Sequence, residues 1–309
     1  MSFPVFDILA SRAELGPERT AFEDLISGEC VSYNELNQRT GRTTALLSSS
    51  GVTQGDRVAL LCRNRIEFFE LLFACARLGA ILVPLNWRMP ARELQPLLDD
   101  CGAKWLFYGA GDAEIATSLS GKDLEFFALD DDGENGFRRH RDGLKPQQGR
   151  GHWPADETWY LLYTSGTTGK PKAVIQTYGM ALANYINIAQ AMGLRADDTS
   201  LNYLPLFHTG GINLTTLPAL IMGAPTLIMP GFDLERTVEL LETGRLDTFF
   251  GVPAIYQAIS LHARFDELDL SRVRCWGCGG APMPDKLLQQ FAARGATVLN
   301  GMGMTETGP

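Results

Sequence analysis

Short apolar runs alternate with stretches of helical periodicity along most of the chain. Arg57–Cys62 (RVALLC) reads as a strand, and Ile66–Leu78 follows with Phe69, Leu72, Phe73 and Ala76 at helical spacing. Ile81–Pro84, Lys104–Tyr108 and Glu125–Leu129 read as further strands, with a helix over Ala91–Asp99. The second half keeps the rhythm. Strands are expected at Thr158–Tyr163, Ala173–Gln176, Thr199–Leu204, Pro225–Met229, Thr248–Phe250, Val273–Trp276 and Thr297–Leu299. Helices are expected at Gly179–Met192, Ile212–Met222, Leu234–Thr243, Pro253–His262 and Asp285–Ala293. Such alternation predicts an α/β fold of layered, largely parallel β-sheets flanked by helices.

Residues 130–157 break the rhythm. They are rich in Asp, Gly, Arg and Gln and read as a solvated connection. This places an expected division between a first subdomain, 1–157, and a second, 158–309. Residues 209–232 carry no charge over a length that could span a bilayer, but Pro218, Pro225 and Pro230 interrupt them. They read as a buried helix, a turn and a buried strand, with no membrane span.

Composition narrows the function classes. Lys and Arg number 27 against 36 Asp and Glu, a net charge of −9, which does not favour a nucleic-acid surface. The six cysteines are scattered, unlike a secreted disulfide framework. No signal-like segment opens the chain, so a cytoplasmic protein is expected. Homo-oligomer formation is compatible with this composition.

The densest chemistry lies at Tyr163–Val174, YTSGTTGKPKAV. Thr164, Ser165, Thr167 and Thr168 supply hydroxyls, Gly166 and Gly169 a turning backbone, and Lys170 and Lys172 positive charge. Backbone N–H groups, hydroxyls and lysines in one loop suit a polyphosphate. The pattern is not the Walker loop: only two residues separate the glycines, and Pro171 follows Lys170.

This segment resembles the phosphate-loop signature of the AMP-forming adenylating enzymes, the superfamily of acyl-CoA synthetases, luciferase-like enzymes and peptide-synthetase adenylation domains. Leu204–Gly211 (LPLFHTGG) resembles the family's aromatic-His motif at the acyl pocket. Gly279, Gly280, Ala281 and Pro282 resemble its adenine-bracketing loop. Asn300–Pro309 (NGMGMTETGP) resembles its adenine- and Mg²⁺-contacting motif. The resemblance implies the large N-terminal domain of such an enzyme, in its acyl-CoA ligase branch. Family members continue for roughly another 200 residues, more than one small domain's worth, with an assisting lysine on a mobile domain. Little thioester formation is therefore expected of this chain alone.

The implied reaction joins a carboxylic acid to ATP, releasing pyrophosphate, and then passes the acyl group from AMP to coenzyme A. A carboxylic acid with a pKa of about 4 is already ionised at neutral pH, so no Ser or Cys nucleophile is required. The protein must position groups and offset phosphate charge. By resemblance, Glu306 contacts Mg²⁺, Thr305 hydrogen-bonds the α-phosphate, and His208 borders the acyl carboxylate. Asn300, Gly301, Met302, Gly303 and Met304 line the adenosine side. Met302 stands where relatives commonly carry an aromatic, and offers a polarizable apolar contact instead. Amino-acid-activating relatives carry an Asp where His208 stands here, so a fatty or aryl acid fits better than an amino acid. Cys275 and Cys278 form an isolated CxxC with no second ligand pair, which reads as structural. Phe249 and Phe250 read as core or as pocket wall, without a choice between them. Two alternatives accompany the ligase reading: a non-catalytic nucleotide- or partner-binding protein, and an adenylating enzyme that serves a carrier protein.

Overall fold

Runs that are apolar at every position become central strands here, because parallel strands covered on both faces need no polar alternation. The structure, a computed structural model, describes residues 3–121, 123–131, 133, 136–164 and 171–309. The chain divides into two compact units: residues 1–18 with 31–182, and residues 19–30 with 183–309.

The first unit is built on a six-stranded sheet in the order Lys172–Thr177, Thr158–Thr164, Ile81–Pro84, Arg57–Leu61, Trp105–Tyr108, Glu125–Ala128. All neighbours are parallel except the first pair, an antiparallel hairpin. Thr158–Thr164 pairs with Ile81–Pro84 through Leu82 and Tyr160, so the division expected at 157/158 does not coincide with the edge of a unit. The helix Ile66–Leu78 is buried from Ile66 to Arg77. Its all-round burial explains why its apolar pattern is broader than one face. It ends on Gly79 in the left-handed region, a common helix stop.

Most described residues of 130–157 are exposed, as their composition suggests, but a few buried side chains pin the segment to the first unit. Trp153 is fully buried, in ring contact with Phe73, Trp159 and Tyr178. His152–Pro154 forms an antiparallel pair of strands with Pro4–Phe6. Arg150 donates to Glu157 and to the Ala76 carbonyl. Arg141 is buried and meets the fully buried Glu70 at 2.7 and 2.9 Å. Among the described charges of this segment Arg141 alone is buried, and composition cannot distinguish it from its exposed neighbours.

Glu67 belongs to the same network, 2.8 Å from Arg65 and 2.7 Å from Arg138. Burial pushes its carboxyl up, but the two guanidiniums outweigh burial and hold it at about 2. A depressed carboxyl stabilises the fold above its unfolded value, and that contribution is lost as pH falls towards 2. Relative to Glu67→Gln, the parent should be about 3 kcal/mol more stable above pH ~4.5, the gap closing towards pH ~2. Urea unfolding of both proteins across this range checks it.

The second unit holds a seven-stranded sheet in the order Val298–Asn300, Cys275–Cys278, Thr248–Gly251, Ser200–Asn202, Thr226–Ile228, Thr20–Asp24, Cys30–Ser32. Pairing is parallel from Val298–Asn300 through Thr20–Asp24. Its core gathers Tyr203, Phe249, Tyr256, Phe265, Trp276 and Phe291. The helices Leu234–Glu242, Pro253–Ser260 and Asp285–Ala292 begin with Asp233 as cap, Pro253 at the first turn and Asp285 in the first turn, respectively. Each is a helix-start signal. Among the described residues no helix is long and apolar enough to cross a membrane.

Candidate functional site

In open parallel sheets, ligands bind outside the carboxyl ends of the strands. In the second unit, three of the sequence-predicted segments leave the sheet at that edge. Gly251, Cys278 and Asn300 are in register on adjacent strands. Gly279–Pro282 follows the middle strand and Gly301–Glu306 follows the outer one. Gly279 N donates to the Gly251 carbonyl at 3.2 Å and Gly301 N to the Cys278 carbonyl at 2.7 Å, which fixes where both loops start. The Leu204–Gly211 loop leaves the neighbouring strand Ser200–Asn202 at the same edge.

The Leu204–Gly211 loop folds back on itself. His208 N donates to the Pro205 carbonyl and Gly211 N to the His208 carbonyl, both at 3.1 Å. A Cβ on Gly211 would stand 2.3 Å from the Pro205 carbonyl oxygen and 2.6 Å from that of Leu204, so only glycine fits. His208 is exposed, its ring 4.5 Å from that of buried Phe207. Gly210–Leu214 then forms a π-helical turn before the helix Thr216–Met222. The sequence predicts one continuous helix from Ile212; wider turns of this kind recur at functional sites.

Three buried asparagines that sequence reasoning did not single out hold this loop. The Asn202 amide donates to the Gly211 carbonyl at 3.0 Å. The Asn213 amide donates to Thr209 Oγ1 at 3.0 Å. Asn184, on the helix Tyr178–Met192, donates to the Asn213 carbonyl. The available signal was asparagine inside a strand or helix, where it is an unfavourable choice unless its amide has a partner. Gly211→Ala should displace the Leu204–Gly211 loop and speed amide hydrogen exchange there at least tenfold, while exchange in the strand Thr248–Gly251 stays as in the parent. Hydrogen exchange read by mass spectrometry on both proteins checks this.

Beyond Asn300 the chain makes a tight turn. Met304 N donates to the Gly308 carbonyl at 3.3 Å and Thr307 N to the Met304 carbonyl at 3.2 Å. Met302 is 94% exposed, so its thioether is open to a ligand. Thr305 is half-buried, and Glu306 is exposed. Glu306 makes no ion pair among the described residues. A single exposed carboxylate fits Mg²⁺, which takes few protein ligands and completes its octahedron with phosphate and water.

The first unit carries the polyphosphate-loop candidates. Thr164 and Lys172 are cross-strand partners, so an antiparallel pair of strands flanks residues 165–170. Lys172 is exposed. Ser165, Gly166, Thr167, Thr168, Gly169 and Lys170 lie outside the described residues. The strand entering the loop is anchored by Tyr163, whose hydroxyl donates to Asp100 Oδ2 at 2.6 Å. Burial, with this carboxylate beside it, raises the phenol well above its ordinary value and keeps it a donor.

Cys275 and Cys278 are both buried within one strand. Three residues apart on a strand, their side chains face opposite sides and cannot share a metal ion. Burial pushes both thiols up. Cys30 is the one exposed cysteine of six. A disulfide reagent should therefore titrate one thiol rapidly in the folded protein and the other five only on unfolding. Two or more rapid equivalents would contradict the burial.

Comparison with known proteins identifies the family of the chain. The family described as "AMP-binding enzyme" matches residues 9–309. A feruloyl-CoA synthase of Amycolatopsis sp is 36% identical over 304 residues, which are 96% of this chain and 58% of that protein. The long-chain-fatty-acid–CoA ligase FadD13 of Mycobacterium tuberculosis is 31% identical over 301 residues, 97% of this chain and 60% of that protein. The chain thus spans about three-fifths of the length of these curated relatives. The inhibitor-bound crystal structure of the N-terminal domain of FACL13 from Mycobacterium tuberculosis superposes with a TM-score of 0.91 at 29% identity. The match covers 99% of this chain and 77% of that one.

Proposed function

Because the chain belongs to the AMP-binding enzyme family, we propose that it activates a carboxylic acid as its adenylate, as part of an AMP-forming acyl-CoA ligase. The observation that carries this reading is the convergence of the His208 loop, Gly279–Pro282 and the Asn300–Glu306 turn at the carboxyl edge of one parallel sheet. The names of the relatives, which are CoA ligases and synthases, support the choice of acid and thiol as substrates.

In the first half-reaction the acid's carboxylate oxygen attacks the α-phosphorus of ATP, and the bond to the bridging oxygen breaks to release pyrophosphate. Thr164, Ser165, Gly166, Thr167, Thr168, Gly169, Lys170 and Lys172 would cradle the departing phosphates. Thr305 would donate to the α-phosphate. Glu306 would hold Mg²⁺, which offsets phosphate charge when bound. Gly279, Gly280, Ala281 and Pro282, with Asn300, Gly301, Met302, Gly303 and Met304, would take the adenosine. In the second half-reaction the coenzyme A sulfur attacks the acyl carbon and AMP leaves. His208 would position the carboxylate and border the thiol's approach. The setting is cytoplasmic.

Acid-dependent exchange of labelled pyrophosphate into ATP tests the first half-reaction, and thioester formation with coenzyme A tests the second. Exchange with thioester formation is the expected result for the whole enzyme, with little thioester formation by this chain alone. Exchange without it would point to a carrier-protein acceptor. AMP binding with no exchange for any acid would support the non-catalytic reading.

A further inference from the structure

A cleft of about 530 Å³ opens within the first unit. Small-molecule sites span about 300–1,000 Å³, so the volume suits a small ligand. Its walls are the helix Ile8–Leu15, the first half of the helix Tyr33–Ser49, Arg77, and a strap at 146–151. None of these residues belongs to the segments read above as holding ATP or the acid. The walls are fixed by the fold. Gln147 N donates to the Gly41 carbonyl and Arg150 N to the Arg77 carbonyl, both at 3.0 Å. A Cβ on Gly149 would stand 2.7 Å from Arg77 Cα, and one on Gly41 2.8 Å from Pro146 Cβ. The strap therefore lies directly on two helices.

The floor of the cleft holds unspent donors. Arg77 is only 5% exposed. Its Nε donates to Asp7 Oδ2 at 2.8 Å, Nη1 to the Asn37 carbonyl at 3.4 Å, and Nη2 to Asn37 Oδ1. A guanidinium carries five N–H groups, so two keep no partner among the described residues. Leaving buried donors unmet is costly, so they call for oxygen acceptors. Asn37 Nδ2 and the side-chain amides of Asn34, Gln38, Gln147 and Gln148 also make no hydrogen bond among the described residues, and all five residues line the cleft. Charge narrows the ligand class. Asp7 matches Arg77, and Glu14 adds a second carboxylate, so an anion would meet net negative charge. A cation would meet the guanidinium on the floor. An apolar ligand would strip water from the amides and replace none of their hydrogen bonds. Hydroxyls donate and accept, as amides do. Phe6, 63% exposed and 5.0 Å from the His152 ring, adds a flat apolar face to the same cleft.

We propose that this cleft binds a neutral polyhydroxylated molecule, a mono- or disaccharide. Sugar oxygens accept from Arg77 and Asn37 on the floor. Other hydroxyls exchange hydrogen bonds with Gln38, Gln147 and Gln148, and the C–H face of a ring rests on Phe6. The site does not depend on the adenylation reading.

The test titrates the ¹⁵N-labelled chain with glucose, maltose, glucuronate and glucosamine and follows backbone amide shifts. Glucose and maltose should give saturable shifts confined to residues 6–14, 34–41, 77 and 146–151. Glucuronate and glucosamine carry the same ring with a charge and should bind about tenfold more weakly. Gln38 and Gln147 are exposed, so Gln38→Leu/Gln147→Leu should keep the fold, which amide shifts outside the cleft report. That variant should weaken maltose binding about tenfold, the scale for losing two hydrogen bonds. No saturable shift with either neutral sugar, or equal maltose affinity in the folded double variant, would overturn the site. Glucuronate or glucosamine binding as tightly as glucose at the same amides would overturn the neutral ligand class.

Discussion

Removing Arg141 while Glu70 remains is expected to destabilise the first unit by about 3–5 kcal/mol, enough to consume a large part of ordinary domain stability. Glu70 is fully buried, and Arg141 meets both its carboxylate oxygens, at 2.9 and 2.7 Å. Thr43 Oγ1 adds a weaker contact at 3.3 Å. In Arg141→Met, a carboxylate in apolar surroundings loses its counter-charge and must protonate or draw in water. The double variant Glu70→Leu/Arg141→Met is expected to regain most of the loss. Burial, with the neighbouring Glu67 charge, raises the Glu70 carboxyl despite the attraction of Arg141, and replacing a buried ion pair by apolar side chains of similar volume is often neutral or stabilising. Chemical denaturation of the parent, both single variants and the double variant closes the cycle. A double variant as unstable as Arg141→Met alone would show that the pair is a net source of stability.

Glu306→Gln is the second large effect, and it falls on chemistry. Glu306 is exposed on the turn after Asn300 and makes no ion pair among the described residues. Loss of its charge should change stability by no more than about 0.5 kcal/mol. If it holds Mg²⁺ against the phosphates, acid-dependent pyrophosphate exchange should fall about 100-fold, the scale for losing one electrostatic contact in a transition state. Thermal unfolding with exchange kinetics separates the two roles. Unchanged exchange would return Glu306 to the status of a solvated loop carboxylate.

These two residues differ in how plainly the sequence announces them. Glu306 sits in a ten-residue motif that follows three other family-like segments in chain order, and its neighbours carry the reading. Arg141 sits in a polar stretch where ion-pair burial leaves no compositional trace. The same divide runs through the fold. Strands such as Arg57–Leu61 and Ile81–Pro84 are legible because they are continuously apolar between helical patterns. Thr20–Asp24 (TAFED) is not, yet it pairs with Thr226–Ile228 in the second unit's sheet. Its polar ends hide it, and parallel pairing across some 200 residues leaves no local signal. Loop supports such as Asn184, Asn202 and Asn213 escape for a related reason. Each is one common residue whose importance lies in a carbonyl or hydroxyl it meets only after folding.

Phe250 marks the limit of motif reading. Its neighbours Gly251, Val252 and Pro253 place the strand end, but the distinction between core and wall depends on which face each ring takes. Strand alternation assigns Phe249 and Phe250 to opposite faces and does not say which face is which. The glycines at 277 and 279 supply the missing information once register is known: Phe250 packs over them, half-buried, while Phe249 is buried in the core.

Hydrogen exchange of this chain with and without 5′-O-(N-benzoylsulfamoyl)adenosine addresses the central claim most directly. Protection concentrated in residues 204–211, 279–282 and 300–306 is the expected result, since these loops meet at one sheet edge. Binding without protection there, or no binding at all, would contradict the assignment of this edge as the site of adenylate formation.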